Sequence, residues 1–138
     1  MNKLLLFFLL FVITLTTKAA ESEDIWKSSA AAVCAQITKA LEFYQKGNVK
    51  NAQTQAIMAY FKGYDAEIEP AVRITLGGSH VFEVEHQFRD FKKAMIANPD
   101  QKQLEYISQL SKQLCETMYA DAEALNKAKV KKEVFKVD

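Results

Sequence analysis

Apolar residues recur at three- and four-residue intervals along most of the chain, and no stretch alternates convincingly enough for a strand. The first run, from about Asp24 to Lys46, puts Trp26, Ala30, Val33, Ile37, Ala40, Leu41 and Tyr44 on one face. Gly47 is well placed to end that helix and Asn48 to cap the next. The second run starts at Val49 and aligns Ala52, Ala56, Ala59, Phe61, Tyr64, Ile68 and Val72. Pro70 must kink or restart it, because proline lacks an amide donor and disfavours a helical conformation in Glu69. Gly77-Gly78-Ser79 is the clearest turn, with Ser79 a fair N-cap for a third helix that reaches about Ala97. That helix turns Val81, Val84, Phe88, Phe91 and Met95 inward. Asn98-Pro99-Asp100 breaks it, and a fourth helix, about Gln101 to Asn126, repeats Leu104, Ile107, Ser111, Leu114, Met118 and Leu125. Four helices joined by short loops predict an all-α domain, an antiparallel four-helix bundle.

The two ends depart from this pattern. Met1-Asn2-Lys3, an apolar run from Leu4 to about Leu15, and small residues up to Ala20 predict a secretory signal peptide over 1–19. Cleavage is expected after Ala19, with retention as an uncleaved anchor the alternative. The apolar run is shorter than the about 20 residues that span a bilayer comfortably, so the mature protein is expected not to be transmembrane but periplasmic or secreted. One domain, 20–126, then leads to a basic tail, 127–138, containing Lys127, Lys129, Lys131, Lys132 and Lys136. A solvated, frayed terminus explains such a tail, and contact with an anionic membrane surface is the sharper reading. With 18 basic and 17 acidic residues the whole chain carries a net charge of +1, which gives no pull toward nucleic acid.

Two cysteines in an exported chain predict one disulfide, Cys34 to Cys115. Cys34 lies about ten residues into the first helix and Cys115 about eleven before the end of the fourth, so antiparallel neighbours bring them level at 1.5 Å of rise per residue.

The candidate chemistry is carboxylate chemistry. Asp65 and Glu69 precede the Gly77-Gly78 turn, and Glu85 follows it at a similar height, so the three can converge at the edge of one helix pair. Oxygen donors of this kind suit hard cations and iron, and left uncompensated they raise one another's pKa. The plain alternative is a solvated helix edge whose acids pair with Lys62, Arg73 or Arg89. Glu83-Val84-Glu85-His86 contains one Glu-x-x-His pair, where a di-iron bundle needs two copies and two further glutamates. Glu83 and His86 are therefore auxiliary candidates, with His86 facing solvent as the default and His80 read as a surface residue. No serine, cysteine or lysine is joined to a base by a recognisable motif, so no enzyme is predicted. A haem bundle lacks a Cys-x-x-Cys-His attachment site.

Ala59-Tyr60-Phe61, the acids Asp65 and Glu69, Val84-Glu85-His86-Gln87-Phe88, and the run Lys92-Lys93-Ala94-Met95 together resemble the N-terminal extracytoplasmic domain of bacterial high-affinity iron permeases. The closing stretch to Asp121-Ala122-Glu123-Ala124-Leu125 fits the same pattern. The Arg-Glu-x-x-Glu motif and membrane bundle of that family's transport domain are missing from this sequence. The resemblance implies a stand-alone, iron-related helical module binding iron or another divalent cation, whose partner is a membrane iron permease or another periplasmic iron-handling protein. The alternative is a non-metal interaction or chaperone-like module that uses Tyr60, Phe61, Tyr64 and Phe82 as its patch.

Overall fold

The computed structural model describes the backbone of residues 17–132 and the side chains from residue 25 onward. The expected signal segment up to residue 16 and the end of the basic tail, 133–138, lie outside the described residues. Helix α1 runs Thr17–Gln45, α2 Val49–Met58, a π-helical segment Ala59–Asp65, α3 Glu69–Thr75, α4 Gly78–Lys93 and α5 Gln101–Lys127. All regular structure among the described residues is helical, and no described helix is long and apolar enough to cross a membrane.

Capping chemistry sets most of the boundaries. Gly47 turns the chain out of α1 at φ +76°, a conformation costly to any side chain. Asn48 Oδ1 then accepts from Asn51 N at 3.3 Å, and Asp100 Oδ1 accepts from Gln103 N at 2.7 Å to start α5. Pro70 occupies the first turn of α3, where a missing amide proton costs nothing, so the second helix restarts there. Two expectations are corrected. Gly77, at φ +92°, precedes α4, and Ser79 lies inside the first turn without capping it. Helix α4 also ends at Lys93, before Ala97, where the carbonyls of Ala94 and Met95 accept from the Gln103 and Gln53 side chains.

Helix α1 packs mainly against α5 and α2. Trp26 Nε1 donates to the Val130 carbonyl, just past α5, at 2.7 Å, and farther along α1 Cys34 is bonded to Cys115 with a Cα–Cα distance of 5.1 Å. These two contacts make α1 and α5 antiparallel. In the chain-entropy account, closing a loop of 81 positions contributes on the order of 4 kcal/mol. Trp26, Ile37, Tyr64, Phe91, Leu114 and Met118 are each almost fully buried in one core. Burial of side chains of this size contributes about 1.5–3 kcal/mol apiece. The basic tail does not leave the domain at once: Lys132 Nζ reaches Glu67 Oε2 at 2.8 Å and Ser29 Oγ at 2.7 Å.

The π-helical segment answers a phase problem in the sequence. After Ala52, Ala56 and Ala59 the next buried side chain is Tyr64, beside the buried Gly63, and the stripe continues through Ile68 and Val72. The step from Ala59 to Tyr64 is five residues, which an α-turn cannot keep on one face but i→i+5 winding can. Phe61 falls in the gap and is 58% exposed, against the expectation that it joins the core. Gly63 carries the other side of this solution. A Cβ there would stand 3.0 Å from Val33 Cγ2 on α1, so any side chain would make Val33 give way by a few tenths of an ångström.

Candidate functional site

Three of the five candidate ligands come together. Glu69 opens α3 and is 93% buried, with 7% of its surface exposed. One turn on, Arg73 Nη2 donates to Glu69 Oε1 at 2.6 Å, and the same nitrogen stands 3.7 Å from Glu85 Oε1 on α4. Tyr60 Oη donates to the other oxygen of Glu69 at 3.4 Å. Asp65 ends the π-helical segment, within electrostatic reach of Glu69. Its carboxyl is held above the ordinary Asp range by partial burial first, then by Glu69 and the charge of Glu85, with Arg73 pulling the other way. The Tyr60 hydroxyl is pushed far up by burial and then by the same three acids. The cluster is therefore electrostatically one site, built from three elements around one guanidinium.

The other two candidates stand apart from it. Glu83 is exposed on α4. His86 packs against Phe82 with the rings tilted and their centroids 4.2 Å apart, and it accepts from Arg89 Nη2 at 2.9 Å. Among the described residues no three His, Cys, Asp or Glu side chains are grouped so that they could hold a metal ion as they stand. The donor chemistry at Asp65, Glu69 and Glu85 is that of a hard-cation site, but Arg73 takes the central place.

A second polar cluster was hidden from the sequence reading. Asp121 on α5 is 1% exposed, and its Oδ1 lies 2.6 Å from His80 Nε2 in the first turn of α4. His80 is thus not a plain surface residue. Tyr64 faces the same carboxylate closely enough to ease its charge. The geometry falls short of a full hydrogen bond, so Tyr64 Oη and Asp121 Oδ2 are left without one among the described residues. Burial raises the Asp121 pKa, and His80 and Tyr64 partly offset it. Burial also drives the Tyr64 hydroxyl far up, followed by the charges of Asp121 and Glu69. One sequence signal pointed here: Asp121 lies three residues after Met118 and four before Leu125, an acid on the buried stripe of α5.

The π-helical segment connects the two clusters. Tyr60 serves the Arg73 cluster and Tyr64 the Asp121 cluster, and the two rings stack at 6.4 Å. Phe88 packs on both, at 5.4 Å from Tyr60 and 5.8 Å from Tyr64. No family model, curated protein or solved structure matches this chain. What the site does must be argued from its own groups.

Proposed function

We propose that this protein is a cell-envelope, metal-handling helical module that binds a hard cation, iron foremost, through the carboxylates of Asp65, Glu69 and Glu85. The observation that carries this reading is the meeting of Glu69 and Glu85 on Arg73, whose side chain is 52% exposed, with Asp65 near enough to feel all three charges. A half-exposed guanidinium among three carboxylates is a placeholder cation. It neutralises the cluster in the metal-free protein and can swing into water when a cation of higher charge density takes its place. The carboxylates would then hold the cation, and Tyr60 would steady Glu69 through its hydroxyl. The resemblance to the extracytoplasmic domain of iron permeases supports the choice of metal and a membrane permease as the partner served. In this reading α1, the α2–π–α3 rod, α4 and α5 form an antiparallel four-helix bundle, and the protein acts outside the cytoplasm, where a disulfide persists.

The test is a calorimetric titration of the purified, disulfide-intact protein with ferrous, ferric, manganous and cupric ions. Binding is expected to disappear in an Asp65→Ala/Glu85→Ala variant and to tighten several-fold in Arg73→Gln, because the competing cation is gone. Wild-type binding no stronger than that of the double carboxylate variant would sink the reading.

A further inference from the structure

On the outer side of Tyr60 and Phe88, a cavity of about 350 Å3 opens between the α2–π rod and α4. Three apolar side chains stand at its edges with much of their surface in water: Phe61 at 58%, Phe82 at 54% and Ile57 at 37%. The two walls run antiparallel, since Gln53 reaches the Met95 carbonyl while Tyr60 packs on Phe88. This register gives the groove two different ends. Tyr60, Phe61 and Phe88 line one end together with the tilted Phe82–His86 pair. Farther along, Ile57 and Lys92 line the groove, and Arg89 lies between them and His86, whose ring its guanidinium contacts; among the described residues neither cation makes an ion pair. The one acid on the walls, Glu85, faces Arg73 at 3.7 Å.

We propose that this groove is a binding site for a small aromatic anion, its ring body held among Phe61, Phe82 and Phe88 and its carboxylate or sulfonate held by Arg89 and Lys92. The volume is that of a small-molecule pocket, and such pockets are mostly apolar with a few convergent polar groups that fix orientation. Two unpaired cations at one end of an aromatic trough select a ligand with its charge at one end. Arg89 adds a directional element, since its guanidinium is oriented by donation to the His86 ring and presents its remaining donors in a planar fork. Asp65 and Glu69 take no part in the proposal, and although Tyr60 and Glu85 border both sites, the variants below separate the two.

The experiment uses the disulfide-intact protein and two fluorescent probes of similar shape, anilinonaphthalene sulfonate and the uncharged phenylnaphthylamine. The sulfonate is expected to bind one molecule per chain in the micromolar range, with the protein's cooperative melt preserved. Phe61→Ser/Phe82→Ser should weaken both probes by about tenfold. These side chains are largely in water already, so the fold is spared. Arg89→Gln/Lys92→Gln should weaken the sulfonate by about tenfold while leaving phenylnaphthylamine within about twofold. Asp65→Asn/Glu69→Gln should leave both probes within about twofold. Sulfonate binding that ignores either groove variant overturns the proposal, as does equal loss of both probes when the cations are removed. A groove that excludes the sulfonate but captures an acidic amphipathic peptide would likewise overturn it, in favour of peptide docking.

Discussion

Asp65 and Asp121 are both held above the ordinary Asp range, with burial the first cause in each. Their surroundings make them opposite kinds of group. Asp121 is sealed in the core and compensated by His80 from α4 and by Tyr64 from the π-helical segment. Asp65 sits at the domain edge among like charges, and its relief comes from one long, half-exposed side chain, Arg73. A buried pair resists exchange because breaking it strands a charge away from water. An edge cluster held by a flexible cation exchanges more readily, because Arg73 and Glu85 can be rehydrated even though Glu69 is buried. The contrast separates a clamp from a candidate binding site, although the sequence shows only two aspartates on helical stripes.

The most severe test of the contrast is truncation at each side. Asp121→Ala removes the acceptor for His80 and opens a small void beside Tyr64, so it should cost about 2–3 kcal/mol. Glu85→Ala, whose side chain is 38% exposed, should cost less than about 1 kcal/mol. Urea unfolding with the disulfide intact measures both. Similar costs would mean that the two clusters are equally structural.

Gly63→Ala tests the segment that both clusters share. The added methyl meets Val33 Cγ2 at 3.0 Å, and Val33 is itself buried, so α1 and the π-helical segment must part slightly. The expected loss is about 1–2 kcal/mol. The same displacement should weaken cation binding at Asp65, because Tyr60 and Asp65 ride on the moved turn. Loss of stability with unchanged cation affinity would show that the edge cluster does not depend on the π geometry.

Much of the fold was legible because helical periodicity is a local signal. Trp26, Val33, Ile37 and Tyr44 on α1, and Ile107, Leu114, Met118 and Leu125 on α5, are buried as their spacing predicts. Cys34 and Cys115 meet because the two helices are level and antiparallel. The misses are non-local. A period of 3.6 assigns Phe61 to the core, and only the five-residue step to Tyr64 reveals the wider turn that expels it. His80 reads as a surface residue until α5 brings Asp121 against it across 41 positions. Hairpin register puts Glu69 and Glu85 on opposite sides of the Gly77-Gly78 turn, and the Arg73 guanidinium that meets both is the pairing expected of a solvated helix edge. Both readings of that stretch therefore describe part of the same site.

Arg73→Gln isolates the exchangeable half of the comparison. Arg73 is half-exposed, but its removal leaves the buried Glu69 carboxylate with only Tyr60 as a partner, so the expected loss is about 1–2 kcal/mol, short of that for Asp121→Ala. Its larger effect should be on ligands: without the resident cation, the three acids repel one another and bind an added hard cation several-fold more tightly. A variant that loses stability on the scale of Asp121→Ala, or that binds cations more weakly than wild type, would make Arg73 a structural strut.

The smallest expected effect is in the pH and salt dependence of stability, where the sign discriminates. Asp65 faces Tyr60 from the π-helical segment, Glu69 and Arg73 from α3, and Glu85 from α4. Its raised pKa means that the folded state holds the proton more tightly than the unfolded chain. That contribution is fully present below about pH 4 and is lost as pH rises through the raised value. Asp65→Asn is uncharged throughout, so its stability relative to wild type should increase over the same window and then level off. Asp121, facing His80 and Tyr64, obeys the same sign, and Asp121→Asn should show a window of its own. Salt separates the two. At about 0.5 M the screening length is only a few ångströms, which flattens the Asp65 difference at the exposed edge but leaves the Asp121 difference, sealed from ions, unchanged. Equal sensitivity to salt would place both carboxylates in the same dielectric surroundings and erase the distinction between clamp and site.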